Sequence, residues 1–408
     1  MPTAPGAEPL PAEPRLLLVR TSALGDVVHC LPVLTALRRH RPRARIAWAV
    51  EEAYVPLLAG HPDLDLVVPV RSRSWRRAPL ARATRGEVVD LLAALRDFAP
   101  DVALDLMGNH KGGLIARASG AARVVGPARP HRREPSSALW VREGVRPRPP
   151  EDAGRRPAAG RPPAVRDLAG APPPEAAAAG GPAALHAVDR ALSLLAPLGV
   201  PAGPADFAPA KLLAGAVPSP GRPPYVAIHP GAGWANKAWP PERWGEAARR
   251  IAGATGLAVR VPAGLGEETL AGAVEEASGG AARAEPAASL PALAALLRGA
   301  RLVVAGDTGP LHLAHALGVP VLAVLGPTDP RRHGPHGAPD RAVWKRLPCS
   351  FCYRRFDEPK ACLLAVPAAA VAERAVALLA ADAAAAPAAA PAHGSFASAR
   401  SATEEPAP

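Results

Sequence analysis

The feature that most limits what this chain can fold into is a short apolar run followed at once by a small-residue loop and a helical pattern, found in both halves. Residues 16–19 are an apolar run of buried-strand type, 21–26 form the loop, and Val27, Leu31, Leu34 and Leu37 recur at helical spacing up to His40. A second strand at 46–50, a third at 67–70, a helix over 88–98 and a strand at 102–106 repeat the alternation. Strands separated by helices assemble into a parallel sheet with helices on its faces. The second half restarts at 225–229 and predicts helix 241–254, strand 257–261, helix 267–277, a short helix at 291–297, strand 302–305, helix 310–317 and strand 319–325. Two α/β domains follow, as expected for 408 residues, which exceed the usual reach of one core.

Composition sets the boundaries. Residues 1–13 read as a disordered N-terminus, 14–210 as the first domain, 211–224 as a linker, 225–345 as the second domain and 346–381 as a C-terminal segment. A stretch at about 147–182, rich in Pro, Ala, Gly and Arg without apolar periodicity, reads as a flexible insertion, and 382–408 as a disordered tail.

A net charge of +12 predicts attraction to something anionic: nucleic acid, a phosphorylated glycolipid or a membrane leaflet. Lysine stands only at Lys111, Lys211, Lys237, Lys345 and Lys360, and the arginine excess accompanies 52 prolines, so compositional bias explains part of the basicity. Aromatic residues at 4% are poor material for base-stacking platforms, which leaves a basic nucleic-acid-binding protein as a remote alternative. No uncharged apolar run reaches the roughly 20 residues of a membrane span, and no signal peptide opens the chain, so a cytoplasmic location is expected. Cys349-x-x-Cys352 with Cys362 suggests zinc, but a structural site takes four ligands and no histidine stands at ligand spacing.

Three loops can carry chemistry. Thr21–Asp26 follows the first strand, where open parallel sheets bind ligands, and Asp26 either faces that cleft or caps the next helix. In Gly306-Asp-Thr-Gly-Pro-Leu-His312, Asp307 or Thr308 can cap, Pro310 suits a first helical turn, and Gly309 lets a ligand approach the backbone. Free N–H groups and the helix dipole there make a seat for a diphosphate, and Asp307 reads as an acceptor for sugar hydroxyls. His229-Pro-Gly-Ala-Gly-Trp-Ala-Asn-Lys237 follows another strand; Lys237 either neutralises a phosphate or is a solvated surface lysine. Glu267 or Glu268 can meet a ribose hydroxyl or simply begin a helix. Dinucleotide and P-loop fingerprints are missing from both halves. Asp63-Leu-Asp65 runs straight into a strand and reads as structural, so no required metal is expected. Arg132 and Arg133 are candidates for a basic docking surface.

These motifs resemble glycosyltransferase family 9, the ADP-heptose:lipopolysaccharide heptosyltransferases, nearest to their heptosyltransferase I branch. The matching segments are Val19-Arg-Thr-Ser-Ala-Leu-Gly-Asp26 with Pro32, Leu104-Asp-Leu-Met-Gly-Asn-His-Lys111, Arg133-Glu-Pro135, His186-Ala-Val-Asp-Arg190, Lys237-Ala-Trp-Pro240 and the loop ending at His312. The resemblance implies a GT-B fold, two Rossmann-like domains facing across a cleft, with the acceptor mainly on the first and the nucleotide sugar on the second. It implies Asp26 as general base, Lys237, Asp307, Thr308, Gly309 and His312 on the donor side, Glu268 near the ribose, and Lys111 and Arg190 for the anionic acceptor. ADP-heptose would be the donor and a Kdo-lipid A type core glycolipid the acceptor, with no cofactor or metal and with peripheral association at the inner membrane. Heptosyltransferase II, or a family 9 enzyme with another acceptor, is the alternative. Gly231-Ala-Gly233 departs from relatives that carry a hydroxyl there, and the insertion is long.

Overall fold

The computed structural model describes residues 10–148, 167–170, 185–201, 203–355 and 361–385. Most of the insertion expected at 147–182, the first nine residues and the chain from 386 lie outside that set. Of the insertion, residues 167–170 form a turn tied to the second domain: Leu168 N–H donates to the Trp344 carbonyl, and Asp167 accepts from Arg346 N–H.

Each half holds a six-stranded, wholly parallel sheet. In the first, β1 (Arg15–Val19), β2 (Arg45–Glu51), β3 (Leu66–Val70), β4 (Val102–Asp105), β5 (Arg123–Pro127) and β6 (Glu143–Val145) lie in the order β3-β2-β1-β4-β5-β6. In the second, β7 (Tyr225–His229), β8 (Ala258–Ala263), β9 (Ala282–Pro286), β10 (Leu302–Gly306), β11 (Val321–Val324) and β12 (Ala342–Val343) lie as β12-β11-β10-β7-β8-β9, the same winding read from the opposite edge. Leu16, Leu17, Leu18 and Val19 are all fully buried, as are Leu302, Val303, Val304 and Ala305. Such unbroken apolar runs are what a strand needs when helices cover both faces of its sheet. The strand order reverses between β1 and β4 and again between β7 and β10, and the crevice outside the carboxyl ends of those strands is where this topology binds ligands.

The helical pattern predicted across 27–40 is two helices, Leu24–Val28 and Leu31–His40. Pro32 explains the break: it has no N–H to donate and its fixed φ suits a first turn. The expected disordered tail is corrected over its first four residues. Helix Ala368–Ala385 packs Val371, Ala375, Leu378 and Leu379 into the second core, and Asp382 accepts from Arg341 at 3.0 Å. Alanine favours helix strongly, and here the apolar face has somewhere to go.

The two domains meet at their ligand-binding ends. Helix Leu24–Val28 packs on helix Gly309–Ala316, and buried side chains from both halves form one continuous cluster. The approach depends on two glycines. A Cβ on Gly25 would lie 2.7 Å from His312 Cδ2, and one on Gly309 would lie 2.8 Å from the Leu24 side chain.

Candidate active site

Asp26 stands in the third position of helix Leu24–Val28, just beyond β1. The two readings of this residue are both realised, on different atoms. Its Oδ2 accepts from Ala23 N–H at 3.2 Å and from Arg20 Nη2 at 2.7 Å, so one oxygen caps the helix and anchors the side chain. Oδ1 has no hydrogen bond to the described residues, the side chain is 41% exposed, and Asp26 lines a cavity of about 340 Å³ between the domains. Burial alone would raise its pKa; Arg20 and the Ala23 N–H outweigh that and hold it below the usual carboxylate value. The group is thus an ionised acceptor at neutral pH, with one oxygen facing open space.

Across the seam, Asp307 opens the turn after β10. Lys237 Nζ donates to its Oδ2 at 2.5 Å, Thr328 Oγ1 donates to the same oxygen at 2.8 Å, and His312 Nε2 donates to Oδ1 at 3.2 Å. Burial would raise this carboxyl, but Lys237 and the His312 hydrogen bond pull it well below the carboxylate range. With three protein donors and 9% exposure, Asp307 organises Lys237 and His312; it does not present an open oxygen to a sugar. Lys237 Nζ also sits 4.3 Å above the Trp234 ring, a second contact that fixes the ammonium. It is no solvated surface lysine.

Thr308 occupies the cap position of helix Gly309–Ala316, but its side chain makes no capping hydrogen bond, which corrects that expectation. Its Oγ1 is buried without a partner among the described residues. An orphaned hydroxyl beside the free N–H groups of a helix start suits an anionic oxygen, because the ligand then supplies the missing hydrogen bond. Glu267, not Glu268, closes the neighbouring loop. Its Oε2 accepts from Gly264 N–H at 2.9 Å, and its Oε1 lies so close to Gly231 that a Cβ there would come within 2.5 Å. Glu268 begins helix Glu268–Ala277 and points to solvent.

Of the two acceptor candidates, Arg190 lines the cavity with Asp26, whereas Lys111 does not. Lys111 donates to Ser72 Oγ at 3.1 Å and pairs with buried Glu51 at 3.7 Å. Arg132 is no surface residue. It is fully buried, with Nη2 on Asp105 Oδ2 at 2.5 Å, Nε on Ser137 and Nη1 on the Pro127 carbonyl. Asp105 Oδ1 accepts from Met107 and Gly108 N–H, so this pair fixes Met107 and Gly108, which line the cavity together with Arg132. Asp63 and Asp65 pair with Lys211 and Arg38 away from this cavity, as structural residues do.

The sequence reading missed a histidine seam between the domains. His29 Nε2 meets His312 Nδ1 at 3.1 Å; since His312 Nε2 serves Asp307, His29 is the donor. His186 Nε2 donates to the Gly334 carbonyl at 2.9 Å, and His336 Nε2 meets Asp189 Oδ1 at 3.0 Å. His333 lines the cavity beside Asp26. Burial holds His29 and His186 well below the ordinary histidine value, and neighbouring histidine charges push them the same way. No local spacing links these residues; the early traces were the family-like segment beginning at His186 and the loop ending at His312.

A model of glycosyltransferase family 9 (heptosyltransferase) matches residues 179–362. The chain is 33% identical over 350 residues to lipopolysaccharide heptosyltransferase 1 of Pseudomonas aeruginosa, covering 84% of this chain and 86% of that one. It is 30% identical over 329 residues to lipopolysaccharide heptosyltransferase 1 of Escherichia coli K12, covering 79% and 91%. The structure of E. coli heptosyltransferase WaaC with ADP superposes with a TM-score of 0.68 at 25% identity, over 90% of this chain and 99% of that one. E. coli ADP-heptose lps heptosyltransferase II superposes at 0.60 with 17% identity, a likeness of fold. The paired sheets are therefore those of a GT-B enzyme, and the chain is a member of glycosyltransferase family 9, a glycosyltransferase of the heptosyltransferase type.

Proposed function

We propose that this enzyme transfers heptose from ADP-heptose to the inner core of lipopolysaccharide, on a Kdo-lipid A type acceptor, in an inverting single displacement. The observation that carries the reading is the free Oδ1 of Asp26, facing the interdomain cavity while Arg20 holds the other oxygen. Oδ1 takes the proton of an acceptor hydroxyl as that oxygen attacks the anomeric carbon; the bond to the diphosphate breaks and ADP departs. Lys237, the Thr308 hydroxyl and the N–H groups at Gly309 meet the charge that develops on the leaving phosphate. A fixed ammonium and a helix start supply this stabilisation, so no metal or cofactor is required. Glu267, against Gly231 and Gly264, flanks the place for the ribose. The identity to heptosyltransferase 1 proteins favours their acceptor over that of heptosyltransferase II.

Donor and glycolipid would meet at the cytoplasmic face of the inner membrane. No helix among the described residues is long and apolar enough to cross a membrane, and the net charge of +12 favours peripheral attraction to anionic lipid.

The test is ADP release from ADP-heptose with and without the acceptor, in EDTA, for the wild type and Asp26→Asn. Wild type should turn over in EDTA. Asp26→Asn should lose about 100- to 10,000-fold in kcat, the usual worth of a positioned general base, while binding ADP as before. Turnover of the variant within tenfold of wild type would remove Asp26 as the base.

A further inference from the structure

The cavity beside Asp26 is walled almost wholly by the first domain. Among the described residues only Arg332 and His333, the last two of helix Pro330–His333, line it from the second. His333 N–H donates to the Asp329 carbonyl at 2.9 Å, and the imidazole centre lies 5.8 Å from that of the Tyr353 ring, with the planes at 59°. A backbone bond and a ring contact thus set where the imidazole stands.

The other histidines of the seam are engaged within the protein. His29 meets His312, which also serves Asp307; His186 and His315 donate to the carbonyls of Gly334 and His336, and His336 meets Asp189. The ring of His333 has no hydrogen-bond partner among the described residues, and the residue borders the open space. Its charged neighbours come from both sides of the groove: Asp307 and Lys237 of the second domain and Asp26 of the first. Burial sets the ring at about 4, so at neutral pH it is uncharged, with one nitrogen to donate and the other to accept.

In the transfer reading above, the anomeric carbon stands between the acceptor hydroxyl on Asp26 and the phosphate at Lys237, Thr308 and Gly309. An imidazole with Asp26 on one side and Asp307 and Lys237 on the other is beside that carbon. Asp307 is not free for the hydroxyls of the sugar, because Lys237, Thr328 and His312 occupy its oxygens. Breaking the bond at an anomeric carbon builds positive charge on the sugar ring. A lysine or arginine there would oppose that charge, and a carboxylate would repel the diphosphate. A neutral imidazole does neither and still makes a hydrogen bond.

Resting on that reading, we propose that His333 is the second domain's hydrogen-bonding partner for a hydroxyl of the transferred heptose, and so a residue that selects the sugar and not the nucleotide.

The experiment is isothermal titration of the full-length protein with ADP and, in the absence of acceptor, with ADP-heptose. His333→Ala should weaken ADP-heptose about 5- to 50-fold, the usual cost of a polar group left without its partner, and leave the affinity for ADP unchanged. Unchanged ADP affinity also shows that the variant is folded. His333→Asn, whose amide can both donate and accept, should recover part of the loss. Binding of the deacylated acceptor saccharide to the ADP-loaded variant should stay within twofold of wild type. With both substrates present, kcat/KM for ADP-heptose should fall by at least the factor seen in binding.

Binding of ADP-heptose by His333→Ala within twofold of wild type overturns the assignment. So does an equal weakening of ADP, which would mark a structural role, or a loss confined to the acceptor saccharide, which would give His333 to the other substrate. A selective loss of ADP-heptose binding in the variant, with no heptose transferred by the wild type, would leave His333 as a sugar-binding residue and overturn the transfer reading.

Discussion

Acid should loosen the histidine seam well before it titrates the site carboxylates. His315, on helix Gly309–Ala316, joins the seam by donating from Nε2 to the His336 carbonyl at 3.0 Å, and burial sets both His315 and His333 at about 4 against an ordinary 6.5. Around His315, the charges of His312, His336 and Arg341 oppose protonation, while the hydrogen bond to the His336 carbonyl favours it. Around His333, Arg332 and Lys237 oppose it, while Asp307 and Asp26 favour it. Below pH 6.5 the unfolded chain takes protons that these folded rings refuse, so stability falls as pH drops from 6.5 towards 4 and is regained above that window. For one ring moved from 6.5 to 4, linkage gives a loss of about 2 kcal/mol at pH 5, hence about 4 kcal/mol for the two. His29 and His186, lowered in the same direction, add to the loss. Asp26 and Asp307 act in a lower window: their folded pKa is depressed, so their contribution is full above the unfolded carboxyl value and is lost only as pH falls below it. Urea unfolding followed by tryptophan fluorescence at pH 7.5 and pH 5 measures the difference. His315→Gln, whose amide can still donate to the His336 carbonyl, should cancel about 2 kcal/mol of the drop. Equal stabilities at the two pH values, or an undiminished drop in the variant, would refute the assignment of this acid sensitivity to the seam.

Lys237→Met removes the ammonium on Asp307 Oδ2 and should lower kcat about 100- to 1,000-fold in the ADP-release assay; a loss under tenfold would place the leaving-group charge elsewhere. Gly309→Ala puts a Cβ 2.8 Å from both Cβ and Cδ2 of Leu24 and should cost about 1–3 kcal/mol of stability. Thermal melting decides this, and a variant melting with wild type would deny the close approach. Arg132→Met leaves Asp105 charged and buried, at a cost of about 3–5 kcal/mol by urea unfolding. Adding Asp105→Asn should recover part of that, and no recovery would mean the pair is not a unit.

What could be read from the chain alone was whatever is encoded within a few consecutive residues. The apolar runs at β1, β4, β7 and β10 announce strands buried on both faces, and topology then places Asp26 and the turn at 306–312 at their carboxyl ends. Short or polar elements gave no such signal: β6, β9 and β12 carry little apolar pattern, and Pro32 split a helix that periodicity alone joined. Folding decided the rest. Nothing local tells that Arg132 is buried on Asp105, that His29 serves His312 across 283 positions, or that Lys111 turns to Glu51 and not to the cavity. Nor does it tell which oxygen of Asp26 is free, since Arg20 settles that only once β1 and its loop are in place. Periodicity reports which face of an element is apolar; the pairing of charges and ring nitrogens depends on which elements meet, and only the closed domains fix that.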